Sequence, residues 1–201
     1  MMSKTHIAVG VASSLLITQP KTKEEVIVSI IGGAIGGVLS DIDVKINNSN
    51  KHALKYSMDA LYGELAVIIL TVALLFSDYI NNGGICSSII EKPIFPIIGG
   101  VMFILLTVIG ECSKHRGRTH SLLFMILYGI SSAMINVSLG FAVLIGYASH
   151  LIIDLFNKSP ILLLYPLDKE ICLKLFYADG FVNELLFIIG LGFVGFYLVM
   201  L

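Results

Sequence analysis

The chain has 201 residues, of which 56% are hydrophobic and only 13% charged, with a net charge of −1 at pH 7 and a mean hydropathy of +0.91. Soluble domains carry about 25% charged residues, so this composition excludes an ordinary water-soluble globule. The charge balance, with no basic arm and no basic patch interleaved with aromatics, also gives no reason to expect a nucleic-acid partner.

A spanning helix needs roughly 20 mostly apolar residues. In chain order, His6–Thr18 and Val26–Ser40 come first, both containing glycine and both marginal in length for a full crossing. Leu65–Phe76 with its apolar flanks, Ile94–Gly110, Ser121–Val137, Leu139–Phe156 and Phe181–Leu201 follow as clearer spans, with Asn136–Val137–Ser138 as a tight turn. The pattern predicts an all-α, polytopic membrane bundle of about seven hydrophobic helices, at least five of them crossing, as a single domain over residues 1–201. No small-residue cleavage site follows the first apolar stretch, so a removed signal peptide is not expected. Cys86, Cys112 and Cys172 have no metal-ligand or redox-motif spacing and read as unpaired border residues.

Short loops on the cytoplasmic side are enriched in Lys and Arg. With the N-terminus inside, Lys4, Lys45, Lys51, Lys55, Lys114, Arg116, Arg118, Lys158, Lys169 and Lys174 lie inside. Lys21, Lys23 and Lys92 are the three of the 13 basic residues left outside. If only one of the two short N-terminal helices crosses, the N-terminus changes side and the later loops do not.

This topology gathers the residues able to bind metal on the cytoplasmic face. His6 opens the first helix; Asp41 and Asp43, in "VLSDIDVK", follow the second. His115 and His120 flank the inner end of the Ser121 helix, and His150 and Asp154, in "GYASHLIIDLF", occupy the last turns of a helix ending near Lys158. His150 and Asp154 are four residues apart and project from one helical face. An ionised Asp costs about 2.5–3.5 kcal/mol at the centre of a membrane helix and less near the interface, so it requires a partner, water or a cation. Imidazole and carboxylate together suit Zn²⁺, with Mn²⁺ or Fe²⁺ as alternatives, and seven candidate ligands allow one ion or two. Taken singly, Lys114, Arg116 and Arg118 are a positive-inside anchor, and His150 with Asp154 a satisfied polar pair. His52 sits in a polar loop and reads as solvated. Glu64, Glu111 and Glu184 lie near helix ends, where hydration suffices.

In that order, "THIAVG", "LSDIDVK", "HRGRTHSLL" and "GYASHLIIDLFNKSPILLLYP" resemble the YdjM-like family of membrane-bound metal-dependent hydrolases, whose pattern is an N-terminal His, then PDIDH, HRGxTHS and GxxSHxxxDxxTxxG before an apolar LLxP segment. The resemblance covers residues 5–44 and 114–167. It implies His6, Asp41, Asp43, His115, His120, His150 and Asp154 as metal ligands or their supports, with Arg116, Gly117, Thr119 and Ser121 completing the central motif. Ser40 replaces the family's Pro, Val44 its frequent His, Asn157 its Thr, and Pro160 stands near its Gly. The SHxxxD helix is also similar to metal-binding helices of zinc-dependent phospholipases C and related nucleases, which implies phosphoester chemistry.

The expected function is therefore hydrolysis of an amphiphilic phosphoester, such as a phospholipid, at the cytoplasmic membrane face. A metal would activate water, a neighbouring Asp (Asp43) or His would take its proton, and Arg116 or Arg118 would hold an anionic oxygen. The alternatives are a transporter or metal-permeation protein, for which polar residues should continue across the bilayer, and a non-catalytic membrane protein with a structural metal. Membrane lipids are expected partners, and oligomeric state is left open.

Overall fold

The computed structural model describes residues 2–43, 94–177 and 180–200. Among these are six helices and no strand: α1 (Ser3–Thr18), α2 (Lys23–Leu39), α3 (Ile94–Glu111), α4 (Leu122–Ile135), α5 (Val137–Phe156) and α6 (Phe181–Val199). Two 3-10 turns, Ser40–Asp43 and Arg118–His120, supplement them. The expected Leu65–Phe76 helix lies outside the described residues, as do His52, Glu64 and Cys86.

Local chemistry sets the helix ends. At Gln19 the backbone turns left-handed (φ 45°) and its N–H caps the Leu15 carbonyl; Pro20 then ends α1. The Thr22 hydroxyl accepts from the Glu25 amide while the Glu25 carboxylate accepts from the Thr22 amide, a reciprocal cap that starts α2 at Lys23. Asn136 is extended and its side chain accepts from the Leu139 amide at 3.0 Å, so one residue ends α4 and opens α5. The three-residue turn expected at 136–138 thus contracts to Asn136.

Among the described residues, four helices are long and apolar enough to span a membrane: α2 with its 3-10 turn (Lys23–Asp43), α3, α5 and α6. The Leu65–Phe76 span, one of the five taken as crossing, lies outside the described residues, and six helices are described against about seven expected. The second segment, marginal in the sequence, gains length from its cap at Thr22; the Ser121–Val137 segment shrinks to 14 residues because Ser121 and Asn136 serve as caps.

The helices pack in a row, α6, α1, α2, α5, α4, α3, with α1 also touching α5. The central α2 is 72% buried over its apolar window, whereas the flanking α3 and α6 are 17% and 11% buried and turn their apolar side chains outward. In a membrane, close backbone approach replaces the hydrophobic drive between helices. A Cβ on Gly36 would lie 2.2 Å from the Val143 carbonyl of α5, and one on Gly10 would lie 2.5 Å from the Gly33 carbonyl of α2. Tyr128, Tyr147, Ile35, Val38 and Val143 fill the main core.

Candidate metal centre

The antiparallel arrangement brings four segments to one end of the bundle. His6 comes from the first turns of α1, Asp41 and Asp43 from the 3-10 turn after α2, His115 to His120 from the α3–α4 connection, and His150 and Asp154 from the end of α5. His6, His120 and His150 are fully buried, and Asp41, Asp43 and Asp154 are at most 3% exposed.

Four ligand atoms form a closed ring. His120 Nε2 lies 3.4 Å from Asp41 Oδ1 and 3.5 Å from Asp154 Oδ2, and His150 Nε2 lies 3.7 Å from each of these oxygens. His6 Nε2 joins from α1, 3.6 Å from the other Asp154 oxygen, its ring stacked on His150 with centroids 3.7 Å apart. The separations exceed hydrogen-bond length, and Nε2 of His6, His120 and His150 is buried without a hydrogen bond among the described residues. An unsatisfied buried polar atom costs about 1–3 kcal/mol. Tetrahedral ligands 2.0–2.1 Å from a common ion stand ~3.3–3.4 Å from one another, close to the observed spacing. The donor set therefore fits a metal ion, in two overlapping triads, His6–His150–Asp154 and Asp41–His120–His150.

The sequence matches the family described as YdjM inner membrane protein over residues 1–200. The chain belongs to that family. It is also 41% identical over 98 residues to the "uncharacterized protein YvsG" of Bacillus subtilis (strain 168), a match spanning 47% of this chain and 60% of that protein's length. No solved structure matches.

Within this YdjM-family centre, the groups around the ligands divide by what they touch. The His150 Nδ1–H donates to the Gly37 carbonyl at 2.8 Å, which turns Nε2 toward the carboxylates. Asp43 Oδ1 pairs with His115 Nδ1 at 2.8 Å, and Asp43 Oδ2 accepts from the Thr119 hydroxyl at 2.7 Å and lies 3.7 Å from His120 Nδ1. Asp43 and His115, both anticipated as ligands, thus stand behind and beside His120 and belong to neither triad. His115 is the open edge, with its side chain 36% exposed. Arg116 Nη2 contacts Asp154 Oδ2 at 3.2 Å and Nη1 donates to the Ser159 carbonyl at 2.7 Å, so its guanidinium clamps a ligand. Arg118 is exposed and its carbonyl accepts from the Ser121 hydroxyl, so it lies on the open side and outside the buried ligand set.

Burial lowers the proton affinity of His120, but the surrounding Asp154, Asp41 and Asp43 carboxylates outweigh it and hold the pKa well above its ordinary value. Sequence reasoning missed the Gly37 carbonyl and Tyr147, whose hydroxyl donates to the Thr119 carbonyl and braces the turn carrying His120. A backbone acceptor leaves no trace in side-chain patterns, while a tyrosine within an apolar helix is a visible cue. Glu111 is exposed, and Glu184 pairs with Lys4 at 3.0 Å, away from the cluster. Cys112 and Cys172 are free thiols. A cavity of about 450 Å³ between Thr18, Lys21, Glu25 and Phe141 shares no residue with the centre.

Proposed function

We propose that the protein is a membrane-bound, metal-dependent hydrolase of phosphoesters, with a phospholipid head group as the leading substrate class and its centre at the cytoplasmic membrane face. The observation carrying this reading is the convergence of five buried ligand side chains, His6, Asp41, His120, His150 and Asp154, with the Nε2 atoms of the three histidines making no hydrogen bond among the described residues. The imidazole–carboxylate set favours Zn²⁺, which when bound would lower the pKa of a coordinated water toward ~7. His150 has one ring nitrogen committed to Gly37, leaving a single lone pair that both triads need. One ion therefore fits better than two.

The chain's own groups supply the remaining roles. Asp43 orients His115, the member of the cluster that solvent and substrate reach, and His115 receives the proton from the attacking water. Arg116 positions Asp154, and Arg118, with Lys114 also exposed beside it, meets the anionic oxygens of the substrate. The ligand residues gather at one end of the bundle, which disfavours a transit path for ions.

One observation favours a second reading: the ligands are almost wholly buried, and structural zinc sites are closed whereas catalytic ones keep a position open. The two are separated by assaying zinc-loaded protein on phosphodiesters and phospholipids beside His120→Ala and His150→Ala. Hydrolysis by the wild type and its loss in both variants supports the enzyme. Bound zinc without hydrolysis supports the structural site, and equal activity in all three proteins refutes the proposed centre.

A further inference from the structure

Between α5 and α6, residues 157–177 form a strap with an inner and an outer face. Its inner face is pinned by backbone bonds: Lys158 N to Phe176 O at 3.1 Å, Ile161 and Ile171 to each other at 3.0 and 2.9 Å, and Leu173 N to Leu155 O at 2.8 Å. Leu162 N donates to Arg116 O and Leu122 N to Leu163 O, which ties the strap to the connection carrying His120. Asn157 and Ile161 point inward and are at most 1% exposed.

The outer face is unusual. Leu167, Leu173, Leu175 and Tyr177 are 63%, 50%, 66% and 63% exposed, and Lys158, Lys169 and Lys174 stand among them, with Asp168 and Glu170 exposed on either side of Lys169 and Lys158 Nζ 3.7 Å above the Tyr177 ring. Exposed leucines on so well bonded a segment call for a covering surface. The location names it. The strap joins the ends of two helices that each have the length and composition of a span, so both of its ends lie at the same membrane face. Leucines flanked by lysines, with a tyrosine, are the composition of a segment lying in the headgroup layer: apolar side chains sink toward the acyl boundary, and lysines reach phosphates. Lys114 and Arg118, exposed on the neighbouring connection, join the three lysines, so that basic groups outnumber the exposed carboxylates Asp168, Glu170 and Glu111.

We infer that the 157–177 strap is an interfacial element that lies in the headgroup layer of the membrane the chain spans and prefers anionic phospholipid. Leu167, Leu173, Leu175 and Tyr177 enter the boundary region, and Lys158, Lys169 and Lys174 contact lipid phosphates. This holds whether or not the metal centre turns over a substrate.

The chain contains no tryptophan, so Leu175→Trp, and separately Leu167→Trp, each give a single fluorescent reporter on an exposed site. Full-length protein would be reconstituted into phosphatidylcholine vesicles with a graded fraction of phosphatidylglycerol, each lipid in turn being brominated. The expected result is strong quenching by lipids brominated near the glycerol, weak quenching by aqueous acrylamide, and preferential quenching by brominated phosphatidylglycerol. Adding Lys169→Gln and Lys174→Gln should leave the depth unchanged and reduce the anionic preference by about fivefold per lysine at most. Ready acrylamide quenching in vesicles at both reporter positions would overturn the inference. So would shielding that grows with the protein-to-lipid ratio, which would assign the face to a second copy of the chain. Quenching indifferent to lipid charge would refute the anionic preference.

Discussion

The arrangement around Asp154 and Asp43 predicts that two isosteric substitutions have unequal effects on metal binding. Asp154 faces the Nε2 atoms of His6, His120 and His150 at 3.6, 3.5 and 3.7 Å, so Asp154→Asn removes a negative ligand from the middle of the set. Asp43 reaches His120 only at Nδ1, 3.7 Å away, so Asp43→Asn acts through the orientation of a ligand. Loss of such a support costs about 10–100-fold in affinity. With zinc at a hundred times the wild-type Kd, binding stabilises the fold by about 2.7 kcal/mol. At that zinc concentration the Asp43 variant retains ~1.4 to ~0.4 kcal/mol, and the Asp154 variant retains almost none. For a chain of this size the wild-type gain is a rise of about 5–11 °C in Tm. The assay compares unfolding of each detergent-solubilised variant with zinc and with chelator. The difference between these two conditions cancels the separate cost of leaving Arg116, 13% exposed, without its carboxylate. Bound zinc is measured alongside. A full zinc response in Asp154→Asn, or complete loss in Asp43→Asn with Asp154→Asn intact, would refute this division of roles.

Two further outcomes follow. Gly36→Ala places a Cβ 2.2 Å from the Val143 carbonyl and 2.6 Å from the Tyr147 amide, both backbone atoms, so α2 and α5 must separate. A loss of about 1–3 kcal/mol is expected in denaturant unfolding, whereas Gly192→Ala, with open space around its Cβ, should change little. The raised pKa of His120 predicts different pH dependence with and without metal. In chelator, the protonated ring stabilises the fold fully below its ordinary value of 6.5, and this stability is lost as pH climbs through the higher folded-state value. In zinc, the same nitrogen is already deprotonated in the bound state, so the loss over that interval is absent, and stability rises with pH only below about 6.5, where the unfolded ring still holds its proton. Parallel pH profiles of the unfolding midpoint in chelator and zinc would contradict the assignment of His120 as a ligand.

The site was more legible than the helices. Spacing marks His150 and Asp154, because the i,i+4 rule holds inside any helix, and positive-inside counting places His6, Asp41 and His120 at the same end. The division of labour among the anticipated residues was not visible. Asp41 and Asp43 are two residues apart in a 3-10 turn, and a small rotation decides which faces the histidines; here Asp41 meets His120 and His150 while Asp43 turns to His115 and Thr119. Arg116 and Arg118 looked equivalent, yet Arg116 adopts a left-handed conformation (φ 63°) and its side chain is drawn to Asp154, whereas Arg118 faces outward. Helix ends depended on caps: hydropathy alone extended the Ser121 segment through Val137, but the side-chain hydrogen bonds of Ser121 and Asn136 cut it at both ends.

Packing and chemistry meet at Gly37. A Cβ there would lie 2.5 Å from the His6 carbonyl, so only glycine lets α1 approach α2 closely enough at this level for His6 to reach the centre. The carbonyl of the same residue accepts the Nδ1–H of His150 from α5 on the other side. One residue of the central helix thus sets the position of one histidine through what it lacks and the tautomer of another through its backbone, and the two rings stack 3.7 Å apart as a consequence. Gly10, Gly33 and Gly146 permit the same close approach about one turn away, where no ligand is involved, and Gly36, next to Gly37, does so toward α5. The small-residue surface of α2 is therefore the frame of the centre: widening α1–α2 or α2–α5 by even the breadth of a methyl group would pull His6 or His150 out of the 3.4–3.7 Å spacing that suits a common ion.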